Sequence, residues 1–214
     1  IKAVLKTKKE AIITNSILTE LEIHQFLNKY NLCPEILDFD LQKNRIVYEY
    51  IQYSVENSAY NQVFLEIFGE TLSKLHGLNY RNQGIDTFEE KIESYRNILS
   101  SNSTNEIQKG FVLFDKLYKK PNKLSFCHND LNPMNIFFDK KLQFIDWEYA
   151  GLNMPIYEIA SIKKSFNFSS DQFNIFLKAY GQDFNLNDIK EFEILVGSIE
   201  KIWQEVTDKQ KKVS

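Results

Sequence analysis

The chain has 214 residues, of which 43% are hydrophobic and 26% charged, ordinary values for a globular protein with a sizeable core. The 29 acidic against 26 basic side chains leave a net charge of −3, which gives no electrostatic footprint for nucleic acid, and no apolar run reaches membrane-spanning length. Two cysteines far apart, Cys33 and Cys127, exclude a disulfide framework and read as core thiols of a reducing, cytoplasmic compartment.

The first residues, IKAVLK, alternate like a strand. Apolar spacing at Ile17, Leu18, Leu21, Phe26 and Leu27 predicts a helix ending near Tyr30, and Pro34 bars its continuation. Residues 36–40 and 45–50 read as paired strands. Residues 60–79 predict a long helix with Val63, Ile67, Leu72 and Leu75 at helical intervals. Thr87 with Glu90 is a capping-box signal for another helix, and residues 111–118 continue helical. Three more helices are expected over 155–166, 170–180 and 187–206, the second capped by Ser169 with Gln172. A few strands followed mostly by helices suit an α+β, two-lobed fold. The expected division is a small N-lobe and hinge over 1–51 and a mainly helical C-lobe over 52–214.

The most informative stretch is 126–148, FCHNDLNPMNIFFDKKLQFIDWE. His128, Asp130 and Asn135 stand at the spacing of the kinase catalytic loop, H-x-D-x-x-x-x-N, and Asp146 ends the next apolar run. Phosphoryl transfer needs these residue types. The transferred group carries dense negative charge, and hard oxygen ligands suit the magnesium that neutralises it. Asn135 and Asp146 are the candidate metal ligands. Asp130 can accept the proton of an attacking hydroxyl, and His128 organises the loop. A surface turn of Asn, Asp and Pro is the bland alternative. It does not account for apolar runs on both sides and a second Asp. Lys6, at the end of AVLK, is the candidate lysine for the nucleotide phosphates, with Glu20 as its partner; Lys2 and Glu22 compete for these roles. No glycine occurs before Gly69. A glycine-rich phosphate loop is therefore absent from these residues. Either it precedes them or the lobe is shortened.

CHNDLNPMNIF followed by FIDWEYAGLNMPIYEIAS resembles the choline/ethanolamine kinases, above all the small bacterial choline kinases of the LicA type, within the aminoglycoside-phosphotransferase-like superfamily. H-x-D-x-x-x-x-N marks the superfamily, and D-W-E-Y-A-G the narrower branch. The resemblance implies an ATP- and Mg²⁺-dependent kinase acting on the hydroxyl of choline or a related amino alcohol. It implies that Glu49 and Ile51 belong to an adenine-binding hinge, and that Tyr149 lies in an amine pocket with Trp203 and the carboxylate of Glu148. Trp147 reads as core, and His24 and His76 as structural or solvent-facing. Two departures stand out. The family's W-x-x-W pair is reduced to Trp203, with Glu200 in the earlier position. Glu158 replaces an Asp, keeping the acid with a longer reach. The rival readings are another hydroxyl kinase, such as an aminoglycoside phosphotransferase, and a non-catalytic kinase-like nucleotide-binding module.

Overall fold

The computed structural model describes residues 2–8, 14–51, 55, 60–80, 84–99, 103–119, 123–139 and 141–211. Strands β1 (Ala3–Thr7), β2 (Ile36–Asp40) and β3 (Arg45–Glu49) form an antiparallel sheet in the order β1-β3-β2. Between the first two runs α1 (Ile17–Asn28), started by Ser16, whose hydroxyl accepts the Thr19 N–H at 3.1 Å. One face of α1 gives Ile17 and Leu21 to a small apolar cluster with Ile46 and Tyr48 of β3. Another gives Ile23 and Leu27 to the main core. Helix α1 thus packs on both the sheet and the main core.

Helix α2 (Gln62–His76) is capped by Asn61 and buries Phe64, Leu65, Phe68, Leu72 and Leu75, positions recurring every three or four residues. It packs on α6 (Ser170–Tyr180), whose expected capping box between Ser169 and Gln172 is formed. Helix α3 (Phe88–Leu99) starts at the expected Thr87–Glu90 pair: the Glu90 carboxylate accepts the Thr87 N–H at 2.7 Å, and the Thr87 hydroxyl accepts the Glu90 N–H at 3.2 Å. Residues 111–118 do not continue this helix. They belong to a separate α4 (Asn105–Leu117), nucleated afresh by the Thr104 hydroxyl. Helix α5 (Pro155–Phe166) begins at a proline and ends at Asn167, in the left-handed conformation that stops a helix. Helix α7 (Leu186–Lys211) runs well past the expected end and packs along α5 and α4.

Two short antiparallel ladders lie between these helices. Strand β4 (Ser125–Cys127) pairs with β7 (Gly151–Asn153), and β5 (Ile136–Phe138) pairs with β6 (Leu142–Phe144). The loop from His128 to Asn135 therefore connects two ladders, and Asp146 follows β6 directly.

The packing of α2 on α6 is tight at Gly69, where a Cβ would lie 2.4 Å from the Phe176 carbonyl oxygen and 2.8 Å from the Tyr180 nitrogen. Backbone atoms cannot step aside as a flexible side chain can. Gly69→Ala is therefore expected to lower unfolding free energy by about 1–3 kcal/mol. Gly197, inside α7, has nothing within 4 Å of its built Cβ, so Gly197→Ala is expected to stabilise by roughly 0.5–1 kcal/mol. Urea denaturation of both variants measures the contrast.

Candidate active site

The catalytic-type loop is held from beneath by one buried acid. Glu158, on α5, is fully buried. Its carboxylate accepts the backbone N–H of His128 at 3.3 Å and of Asn129 at 2.6 Å, and meets His76 Nε2 at 2.7 Å. The other His76 ring nitrogen lies 2.8 Å from the Tyr180 hydroxyl. The longer reach of Glu158 thus serves both the loop backbone and His76 of α2. Asn129 itself adopts φ 65°, a left-handed conformation that asparagine tolerates better than most residues. Its side chain donates to the Tyr149 carbonyl at 3.1 Å and accepts from the Asn153 amide at 2.8 Å.

His128 is buried, and its Nε2 donates to the Ile145 carbonyl at 2.7 Å. The ring packs 4.4 Å from that of Trp147, itself fully buried. His128 therefore ties the loop to the strand that presents Asp146 and stands away from solvent. Asn135 donates its amide N–H groups to the Asp130 backbone carbonyl at 2.8 Å and to its carboxylate at 3.1 Å. This leaves the amide oxygen of Asn135 as its ligand atom. Burial pushes the Asp130 carboxyl above its ordinary pKa and Asp146 adds to this, against the pull of His128 and the two amides.

Asp146 also has left-handed backbone, φ 67°, and turns the chain into a short 3-10 turn, Trp147–Tyr149. Its carboxylate accepts from Lys6 Nζ at 2.6 Å, and Lys6 also meets Glu20 at 2.5 Å. Burial lowers the Lys6 pKa, but Glu20 and Asp146 outweigh it and hold the ammonium raised. Of the competing residues, Lys2 lies over the Tyr50 ring at 5.5 Å, and Glu22 is only partly buried where Glu20 is fully so. A hard, negatively charged oxygen set with one amide oxygen suits magnesium.

Beside Asp130 opens a cavity of about 380 Å³. Its wall includes Glu148, Tyr149 and Trp203, together with Tyr95, Tyr157 and Glu200. The Trp203 indole N–H donates to the Tyr149 hydroxyl at 3.0 Å, and the rings meet edge to face at 6.5 Å. A cation inside would meet aromatic surface. Glu49 and Ile51 stand apart from this group. Glu49 ends β3 with its N–H on the Glu35 carbonyl at 2.8 Å, Ile51 follows, and the next hinge residues fall outside the described ones.

Several contributors carry no motif of their own. Lys91 donates to the Tyr149 carbonyl at 2.8 Å and lines the same cavity; burial lowers its pKa to about 8. Asn15 donates to the carbonyls of Trp147 at 3.1 Å and Ala150 at 2.9 Å, fixing the 3-10 turn from across the molecule. His24 is not solvent-facing. It is buried and stacked on Tyr48 at 4.7 Å, and burial lowers its pKa to about 3.

Comparison with known proteins bears on the family and the fold. The APH phosphotransferase enzyme family matches residues 2–193. A "Protein LicA homolog" of Metamycoplasma hominis is 28% identical over 186 residues, covering 83% of this chain and 72% of that protein. Protein LicA of Haemophilus influenzae is 28% identical over 148 residues, covering 65% of this chain; the match spans about half, 53%, of that relative's length. The crystal structure of choline kinase LicA from Streptococcus pneumoniae superposes with a TM-score of 0.82 at 22% identity, over 97% of this chain and 78% of that one. A choline/ethanolamine kinase family protein from Mesorhizobium loti gives 0.77 at 20% identity, over 98% and 75%. The fold is α+β and kinase-like, as the sequence suggested.

Truncating Glu158 would leave the His128 and Asn129 N–H groups and His76 without their shared acceptor. Glu158→Ala is expected to cost about 3–5 kcal/mol, the range for removing one partner of a buried pair, and Glu158→Gln less, since an acceptor oxygen remains. Chemical denaturation measures both. A loss below about 1 kcal/mol for Glu158→Ala would remove the anchoring role.

Proposed function

The chain belongs to the phosphotransferase enzyme family, and we propose that it transfers the γ-phosphoryl group of ATP to the hydroxyl of choline or a related amino alcohol. The observation that carries this reading is one of placement. Asp130 lines the same aromatic, carboxylate-bearing cavity as Tyr149 and Trp203, while its carboxylate also accepts from Asn135, and Asp146 accepts from Lys6. The relatives named as choline kinase and as choline/ethanolamine kinase family protein support the acceptor class.

In this reading the acceptor's ammonium lies against Tyr149 and Trp203, where a cation over an aromatic face gains roughly 0.5–2 kcal/mol per contact. Its hydroxyl then faces Asp130, whose carboxylate takes the proton as the oxygen attacks the γ-phosphorus and the bond from that phosphorus to the bridging oxygen breaks, releasing ADP. Lys6 leaves Asp146 to hold the nucleotide phosphates, with Glu20 keeping it in place. Asp146 and Asn135 would hold magnesium, which would supply charge neutralisation at the phosphates. Glu49 and Ile51 supply backbone groups to adenine. His128 keeps the loop and the Asp146 strand in register. We assign the protein to the cytoplasm, where ATP is abundant; its free, buried cysteines suit that reducing compartment. Among the described residues no helix is long and apolar enough to cross a membrane, and the net charge of −3 favours small cationic acceptors over nucleic acid.

The deciding experiment is a panel of choline, ethanolamine and aminoglycosides with Mg·ATP on the full-length protein. Transfer to one of the two amino alcohols is expected; transfer only to aminoglycosides would overturn the acceptor class. No transfer to any would leave a binding module. With the substrate in hand, Asp130→Asn is expected to lower kcat about 10²–10⁴-fold, the usual range for a positioned base. A loss under about tenfold would remove Asp130 from that role. Asp146→Ala is expected to weaken Mg·ATP binding more than Asn135→Ala does, because a carboxylate binds magnesium more strongly than a neutral amide. Calorimetric titration of Mg·ATP into each variant gives the order, and equal losses would show the ligands misassigned.

A further inference from the structure

A chain of opposite charges runs from the phosphate side of the site to the acceptor side. Asp146 meets Lys6 at 2.6 Å and Lys6 meets Glu20 at 2.5 Å. The second Glu20 oxygen faces Lys8 at 3.7 Å, and Lys8 faces Glu148 at 3.4 Å. The Lys8 side chain is only 8% exposed. Among the described residues its ammonium has no hydrogen-bond partner, and neither has that second Glu20 oxygen. Lys8 is therefore a buried cation held by charge alone, with Glu148 as its nearer counter-ion.

Glu148 lines the cavity that we assign to the acceptor. The other carboxylate there beyond the catalytic loop, Glu200, is ion-paired with Lys164. Each of these two acids thus already faces a lysine. A primary ammonium is strongly hydrated and has N–H groups to satisfy, so it needs an uncommitted carboxylate to replace its water. A trimethylammonium has no N–H, and aromatic faces suffice for it. We propose that Lys8 is a specificity-determining residue: by neutralising Glu148 it makes the pocket select methylated over primary amines. This rests on the amino-alcohol reading of the acceptor, which it deepens.

The test compares choline with ethanolamine on the full-length protein, by kcat/KM and by calorimetric binding of each amine. Lys8→Met frees Glu148 and is expected to move the choline-to-ethanolamine ratio at least fivefold toward ethanolamine. Lys8→Arg keeps the charge and is expected to keep the ratio. Lys8→Met/Glu148→Gln removes both charges and is expected to return the ratio to within twofold of the parent. Glu148→Gln alone leaves Lys8 with only the more distant Glu20, already shared with Lys6, and is expected to weaken both amines tenfold or more. If Lys8→Met does not fold, the last two variants decide, since the double variant must then bind amines better than Glu148→Gln. A ratio unmoved in Lys8→Met, a change confined to the KM for ATP, or a double variant no better than Glu148→Gln overturns the role of Lys8 while the acceptor reading stands. A parent protein that phosphorylates neither amine overturns both.

Discussion

The buried Glu158 carboxylate is the interaction on which the site depends. An acid removed from water is costly unless its oxygens are hydrogen-bonded. Here they are occupied by two backbone N–H groups of the loop and by His76. That solution fixes more than the acid. It sets the direction of the chain entering Asp130, and through His76 and Tyr180 it refers the loop to α2 and α6. Those helices meet at backbone contact over Gly69. Tight helix packing thus stands behind the loop that carries Asp130.

Among the described residues that take left-handed backbone against the preference of a side chain, two, Asn129 and Asp146, flank the site. Asn129 and Asp146 have φ of 65° and 67°, and each bends the chain where a regular ladder ends. Neither bend could persist alone. Asn129 is over-determined by Tyr149 and Asn153, and the turn after Asp146 by Asn15. Such strain is sustained by surroundings that leave no alternative. Here the surroundings include a residue more than a hundred positions away in sequence. The segment after β1 therefore serves the 3-10 turn as much as it serves its own sheet.

Much of this was legible in the sequence because chemistry fixes spacing. His128, Asp130, Asn135 and Asp146 could be found by counting, since a loop of set length between two ladders permits few arrangements. Capping pairs such as Thr87 with Glu90 and Ser169 with Gln172 were legible because they are local. Strand β7 was not, being three residues long with no periodicity to detect. The break before α4 was missed because residues 111–118 have helical spacing that says nothing about where the helix begins. Lys8, Asn15 and Lys91 were illegible for another reason. Each acts on a residue distant in sequence, and a lone lysine or asparagine looks like any solvated side chain. Glu158 was noticed as a departure, but its bonds to His128 and Asn129 emerge only when α5 lies under the loop.

The two cysteines give the molecule a built-in means of watching itself come apart. Both thiols are free and buried, and burial pushes Cys33 up to about 12 and holds Cys127 well above its ordinary value. Only a thiolate reacts readily with alkylating reagents, so the folded protein is protected at neutral pH by both access and ionisation. Cys33 lies just after α1, with its thiol on the His24 carbonyl at 3.3 Å. Cys127 ends β4, against the Asn153 carbonyl at 3.7 Å. A reagent that labels Cys33 therefore reports loosening of the helix that packs on both the sheet and the main core. One that labels Cys127 reports opening of the ladder beneath the catalytic loop. The relative order of the two modifications reads out which part of the protein yields first, without any introduced probe.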